Sequence, residues 1–128
     1  MLNCAICDDD KSSAEHIYEI TNEYPVKLNR TLYLRSAELL SDLRCGKKFD
    51  LYILDIVMPE FTGLELAREI RRIDSCCVII FITGSDEFHK DAFDVEALHY
   101  LDKPVKREML FHSLDRALRY LGENNDDT

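Results

Sequence analysis

Four short apolar runs in this chain each close on a carboxylate, a hydroxyl or an ammonium, and the stretches between them carry helical periodicity. The runs read Ala5-Ile6-Cys7-Asp8-Asp9, Leu51-Tyr52-Ile53-Leu54-Asp55, Val78-Ile79-Ile80-Phe81-Ile82-Thr83 and Tyr100-Leu101-Asp102-Lys103-Pro104. Continuous apolar runs of this length mark parallel strands whose two faces are both covered by helices. Parallel strands need long crossovers, so the chain is confined to an α/β layer structure. Ligands of open parallel sheets bind beyond the carboxyl ends of the strands. Three carboxylates, a hydroxyl and an ammonium are therefore expected to meet at one edge of one sheet.

The remaining elements fall into place around these runs. Leu2–Cys7 reads as the first strand, and a helix follows from Lys11 to about Tyr24, with Ala14, Ile17 and Ile20 at helical spacing and Pro25 as its stop. A second strand with broken alternation lies between Val26 and Leu34. Ser36 suits the N-cap of a second helix carrying Leu39, Leu40 and Leu43, with Gly46 at its end. Leu51–Leu54 is the third strand. Thr62 and Glu65 form a capping box ahead of a helix bearing Leu64, Leu66, Ala67 and Ile70. Val78–Ile82 is the fourth strand, Asp86 to about Glu96 a short helix, and Leu98–Leu101 the fifth strand. The last helix spans Lys106–Leu121, with Met109, Leu110, Leu114, Ala117, Leu118 and Leu121 on its apolar side. Five strands alternating with five helices imply right-handed crossovers and a doubly wound sheet. Residues 1–121 make one domain, and 122–128 read as a polar tail or the start of an interdomain linker.

A net charge of −9 argues against this segment itself gripping nucleic acid or an anionic membrane. No apolar stretch approaches the ~20 residues that a membrane-crossing helix needs. The five cysteines, two of them adjacent, suit reduced thiols and a cytoplasmic setting. Cys4-x-x-Cys7 resembles a chelating pair, but residues three apart on a strand face opposite sides, so the two thiols are expected in separate cores.

In a five-strand doubly wound sheet, the crevice at the reversal of strand order lies between the first and third strands. Those strands end in Asp8-Asp9 and Asp55. Clustered carboxylates raise one another's pKa unless a cation compensates them, and Mg²⁺ suits a few carboxylates, a backbone oxygen and waters. Asp8-Asp9-Asp10 alone also fits a solvated acidic rim. Asp55, where a rigid strand meets a loop, is the candidate nucleophile for in-line attack on phosphorus, and a loop-capping carboxylate is its plainer reading. Lys103 would offset the negative charge of a transferring phosphoryl group, and Pro104 admits a cis peptide that would re-aim it. Thr83 offers a hydroxyl beside the small Gly84. Taken singly, Lys103 suits a surface lysine and Thr83 an ordinary strand residue. His16, His89, His99 and His112 fall on separate elements without ligand spacing and read as incidental.

Together, Ala5-Ile-Cys-Asp-Asp-Asp10, Leu54-Asp-Ile-Val-Met-Pro59 with Gly63, Phe81-Ile-Thr-Gly84 and Tyr100-Leu-Asp-Lys-Pro104 resemble the receiver domain of two-component response regulators. The resemblance covers Met1 to about Leu121. Phe88–Leu101, with Leu98-His-Tyr-Leu101, is similar to receivers that precede a LytTR-type DNA-binding domain. The resemblance implies a flavodoxin-like (βα)5 fold with strand order 2-1-3-4-5. It implies that Asp55 accepts phosphate from a sensor histidine kinase, that Asp9 and Asp55 bind Mg²⁺ directly and Asp8 through water, and that the Val57 carbonyl is the third protein ligand. Lys103 would hold a phosphoryl oxygen, Thr83 and Tyr100 would be the switch pair, and Pro59, Gly63 and Pro104 would be structural. It further implies a homodimer on phosphorylation, and DNA contact only through an output domain outside this chain.

Two positions depart from the family pattern: Val105 stands where an aromatic is common, and Asp102 where an apolar residue is common. Strand alternation aims Asp102 away from Lys103. Two other classes of function remain open. A stand-alone phosphorelay shuttle would need no output domain. An aspartyl phosphatase of the haloacid-dehalogenase type would need a second Asp two residues after the nucleophile, where this chain has Val57. The chain therefore reads as a self-modifying switch and not as a turnover enzyme.

Overall fold

The computed structural model describes residues 1–125. Strands and helices alternate: β1 (Asn3–Cys7), α1 (Lys11–Glu23), β2 (Asn29–Tyr33), α2 (Ser36–Arg44), β3 (Leu51–Leu54), α3 (Gly63–Ile73), β4 (Val78–Thr83), α4 (His89–Asp94), β5 (His99–Asp102) and α5 (Arg107–Asn125). Every strand pair is parallel and the order is β2-β1-β3-β4-β5, the doubly wound arrangement expected from the apolar runs. The reversal lies between β1 and β3, which pair from Cys4–Leu51 to Cys7–Leu54.

Strand alternation divides the core into two layers. Leu51 and Ile53 of β3 and Val78, Ile80 and Ile82 of β4 pack with α1 and α5. Tyr52, Leu54, Ile79 and Phe81 point the other way, against α2, α3 and α4. Both faces are buried, which is why these strands show no polar alternation. Cys4 belongs to the first layer and Cys7 to the second, so the Cys-x-x-Cys pair cannot share an ion. Burial pushes both thiols up to about 12, which keeps them protonated.

The elements depart from sequence expectation at several ends. Ser36 does not cap α2; Arg35 is the N-cap and makes no side-chain cap, while the Ser36 hydroxyl is buried in a tertiary contact. α4 is only six residues long, because the chain turns at Glu87–Phe88 before the helix begins. β5 is shifted one residue onward, so that Asp102 pairs with Thr83. Met109 is exposed, since α5 meets the core through Leu110, Leu114, Ala117 and Leu121. α5 continues past Leu121 to Asn125, since a single glycine costs a helix only about 1 kcal/mol and no proline follows it. The remainder of the expected tail, 126–128, lies outside the described residues.

The expected capping box of α3 is present: Glu65 N–H donates to Thr62 Oγ1 at 3.1 Å, and Thr62 N–H donates to Glu65 Oε1 at 3.0 Å. Thr62→Ala removes one of these acceptors and should cost about 1 kcal/mol, read as a lower urea midpoint at unchanged slope.

Candidate functional site

The carboxyl ends of β1, β3 and β5 bring four charged side chains together. Asp8 follows β1, and its backbone N–H donates to the Tyr33 carbonyl at 3.1 Å, which fixes it beside β2. Asp55 follows β3, and its N–H donates to the Cys7 carbonyl at 3.0 Å. Asp8 and Asp55 are buried and Asp9 is exposed, and one oxygen from each lies within 4.8 Å of the others. Lys103 bridges two of them. Its Nζ donates to Asp55 Oδ2 at 2.8 Å and lies 2.8 Å from Asp8 Oδ2. The second contact is an ion pair, and Asp8 Oδ2 is buried with no hydrogen-bond partner beside it. The other oxygens are better served: Asp8 Oδ1 accepts from Asp10 N–H at 2.9 Å, and Asp55 Oδ1 from Ile56 N–H at 2.7 Å.

One ammonium cannot balance three carboxylates. Burial raises the pKa of Asp8 above its ordinary value, although the Lys103 contact and the Asp10 N–H pull the other way. Burial works against the Lys103 ammonium, but its two carboxylate partners outweigh that, and its pKa stands above the ordinary lysine value. The uncompensated charge and the unbonded Asp8 Oδ2 fit a hard divalent cation bound on the Asp8-Asp9-Asp55 side of the site.

The charge imbalance carries a stability prediction. In the unfolded chain Asp8 titrates near 3.8, and in the folded chain it titrates higher, so the fold binds this proton more tightly. The Asp8 contribution is therefore most favourable at low pH, and it is lost as pH rises from about 3.8 through the folded value. Asp8→Asn should raise the melting temperature of the metal-free protein at neutral pH, with a smaller effect in acid. Equal effects at both pH values would contradict the assignment.

Four contacts hold the loop between β3 and α3. Gly63 N–H donates to the Ile56 carbonyl at 2.9 Å, and a Cβ on Gly63 would lie 2.0 Å from the Asp55 carbonyl oxygen. The helix start is pressed against the backbone of Asp55, and only glycine leaves the room. Ser36 Oγ donates to the Pro59 carbonyl at 2.8 Å and accepts from Phe61 N–H at 3.0 Å. Arg35 adds an ion pair to Glu60 at 2.9 Å, where the backbone turns through a φ of 71°. Val57 lies within this loop with its side chain exposed. Sequence reasoning missed the Ser36 clamp; its one signal was a small hydroxyl in line with the apolar positions of α2.

Thr83 ends β4, buried, with its carbonyl accepting from Lys103 N–H at 3.0 Å. The Lys103–Pro104 peptide is cis. Asp102 is exposed and pairs with Thr83 across the strands. Tyr100 is half-buried beside Phe81. The histidines are less incidental than their spacing suggested. His16 Nε2 lies 3.0 Å from the Val105 carbonyl, His89 stacks on Tyr100, and the rings of His99 and His112 stack at 5.7 Å. Among the described residues, none of them joins a group of potential metal ligands. Among the same residues, no helix is long and apolar enough to cross a membrane.

With this geometry in place, the chain belongs to the response regulator receiver domain family, whose model matches residues 4–115. Receiver domains take phosphate from sensor histidine kinases and act as signalling switches. The chain is 31% identical over 118 residues to the positive alginate biosynthesis regulatory protein of Pseudomonas aeruginosa, covering 92% of this chain and 48% of that protein. It is 33% identical over 122 residues to the response regulator ArlR of Staphylococcus epidermidis, covering 93% of this chain and 53% of ArlR. The sensory transduction protein LytR of Staphylococcus saprophyticus is 26% identical over 133 residues, covering 99% of this chain and 51% of LytR. The chain thus spans about half the length of the curated relatives it matches. Among solved structures, the BeF3-activated DrrB receiver domain aligns with a TM-score of 0.81 at 26% identity, covering 93% of this chain and 98% of that one. The response regulatory domain of mrkE from Klebsiella pneumoniae aligns at 0.86 and 23% identity, covering 95% and 99%, and bears on the fold alone.

Proposed function

We propose that Asp55 is the phospho-acceptor of this receiver domain. The observation that carries the reading is the pairing of Asp55 Oδ2 with Lys103 Nζ at 2.8 Å, beside two further carboxylates. An Asp55 oxygen attacks the phosphorus of a kinase phosphohistidine, the P–N bond breaks, and the imidazole leaves. Water later attacks the acyl-phosphate, which restores the carboxylate and releases inorganic phosphate. Lys103 lies where it can follow the phosphoryl oxygens, and Thr83 supplies a hydroxyl from the neighbouring strand end. Asp8, Asp9, Asp55 and the Val57 carbonyl would hold Mg²⁺, whose positive charge, when bound, offsets the carboxylates and the incoming phosphoryl oxygens. Pro59, Gly63 and Pro104 keep the two loops in register with the strand ends.

Thr83 and Tyr100 form the switch pair, and phosphorylation biases an equilibrium between two arrangements of them. The domain, 1–121 by its sequence pattern, works in the cytoplasm, pairs as a homodimer when phosphorylated, and controls transcription through a LytTR-type DNA-binding domain that follows it. The LytR relative and the half-length match support that output. A reading frame continuing past Thr128 into a DNA-binding domain is the expected observation; a stop codon there would favour the phosphorelay shuttle. Turnover as a phosphatase is disfavoured because Val57 offers no acid or base.

The test is incubation with Mg²⁺ and acetyl phosphate. Wild type should gain one phosphoryl group, lost when the metal is chelated beforehand, and Asp55→Asn should gain none. Equal uptake by wild type and Asp55→Asn would sink the reading.

A further inference from the structure

Tyr100 is held at both ends. Its hydroxyl donates to the Ser85 carbonyl. Its ring face lies against the imidazole of His89, the first residue of α4, with centroids 3.9 Å apart and planes 27° apart. Phe81 of β4 stands on the core side of the same ring at 6.4 Å. Burial raises the phenol pKa above its ordinary value, so the hydroxyl stays protonated and donates. Ser85 is also tied to Thr83, since its N–H donates to Thr83 Oγ1 at 3.4 Å. One residue, Ser85, therefore joins the Thr83 hydroxyl to the Tyr100 hydroxyl through its N–H and its carbonyl, and His89 closes over the ring that completes the chain.

From this geometry we propose that His89 is a positioning residue of the switch: its imidazole, stacked on Tyr100, sets how much of the protein holds the ring over Ser85. The inference rests on the reading of Thr83 and Tyr100 as the switch pair. The Ser85–Tyr100 hydrogen bond sits at a partly exposed loop, where water competes for both partners. The stack adds a contact that water does not replace. Aromatic contacts of this kind shift a conformer ratio roughly two- to tenfold. When Thr83 turns toward a phosphoryl group it gives up Ser85 N–H, and the position of the Ser85 carbonyl changes what Tyr100 can reach. Because coupling is reciprocal, whatever holds Tyr100 in place also favours the Thr83 arrangement joined to it.

The test uses the full chain labelled with ¹³C at tyrosine rings, with the Tyr100 signal assigned through Tyr100→Phe. Relaxation dispersion reads the ratio of the minor to the major ring conformer in protein that has received no phosphate. His89→Ala should raise that ratio roughly two- to tenfold, and His89→Phe, which keeps a stacking ring, should return it close to wild type. His89 is exposed, so both variants should keep the fold. An unchanged ratio in His89→Ala, or no rescue by His89→Phe, would overturn the role. The initial rate of uptake from acetyl phosphate should rise in His89→Ala by a similar factor and return toward wild type in His89→Phe, because loosening Tyr100 also frees Thr83 from Ser85; an unchanged or lower rate would remove His89 from the switch. A wild type that takes up no phosphate would refute the Asp55 reading instead, while the ring ratio would still decide the His89 contact.

Discussion

Gly63→Val is expected to lower stability by about 3 kcal/mol or more, because the new Cβ would meet the Asp55 carbonyl oxygen at 2.0 Å and a backbone oxygen cannot rotate away. The glycine is required by space and not by φ, since no positive φ accompanies it. Relief demands that α3 withdraw from β3, which would strain the Thr62–Glu65 capping box and the Gly63–Ile56 hydrogen bond together. For a chain of this size the loss corresponds to a melting temperature lower by roughly 10 °C. Gly63→Ala brings the same Cβ and should show most of the effect. A melting temperature within a degree or two of wild type for both variants would mean that α3 does not press on Asp55 as described.

Lys103→Ala should have the second-largest effect, and it should act on two observables. Its removal leaves Asp8 and Asp55 without their shared ammonium. Breaking a fully buried pair costs roughly 3–5 kcal/mol, and a partly exposed lysine should cost about 2 kcal/mol in metal-free protein. Added Mg²⁺ should recover part of that loss, because it answers the same charge. Phosphoryl uptake at Asp55 should fall on the order of a hundredfold, as when one preorganised donor is removed from a developing oxyanion. A Lys103→Ala protein that is destabilised but takes up phosphate at the wild-type rate would leave the lysine with a structural role only.

How legible these features were depended on the range of the interactions behind them. The β3 and β4 runs were readable because burial on both faces removes alternation. The capping box of α3 was readable because both partners lie within one turn. Asp8, Asp9, Asp55 and Lys103 could be placed together because parallel topology gathers strand ends. The Ser36 clamp was not readable, since its partners lie on a loop 23 and 25 residues away and a serine before an apolar helix looks like a cap. The stack of His89 on Tyr100 was hidden for the same reason: it joins α4 to β5 across a turn whose conformation no local pattern encodes. The end of α5 was misjudged because polar composition was read as helix termination, although a glycine without a following proline is a weak stop.

The central claim, that Asp55 alone carries the phosphoryl group, is tested most directly by trapping the adduct. Protein incubated with Mg²⁺ and acetyl phosphate is reduced with borohydride, which converts an aspartyl phosphate to homoserine, and is then digested and mapped by mass spectrometry. Homoserine at position 55 and nowhere else is the predicted result. Homoserine at Asp8 or Asp9, or phosphate recovered on a histidine with Asp55 intact, would contradict it.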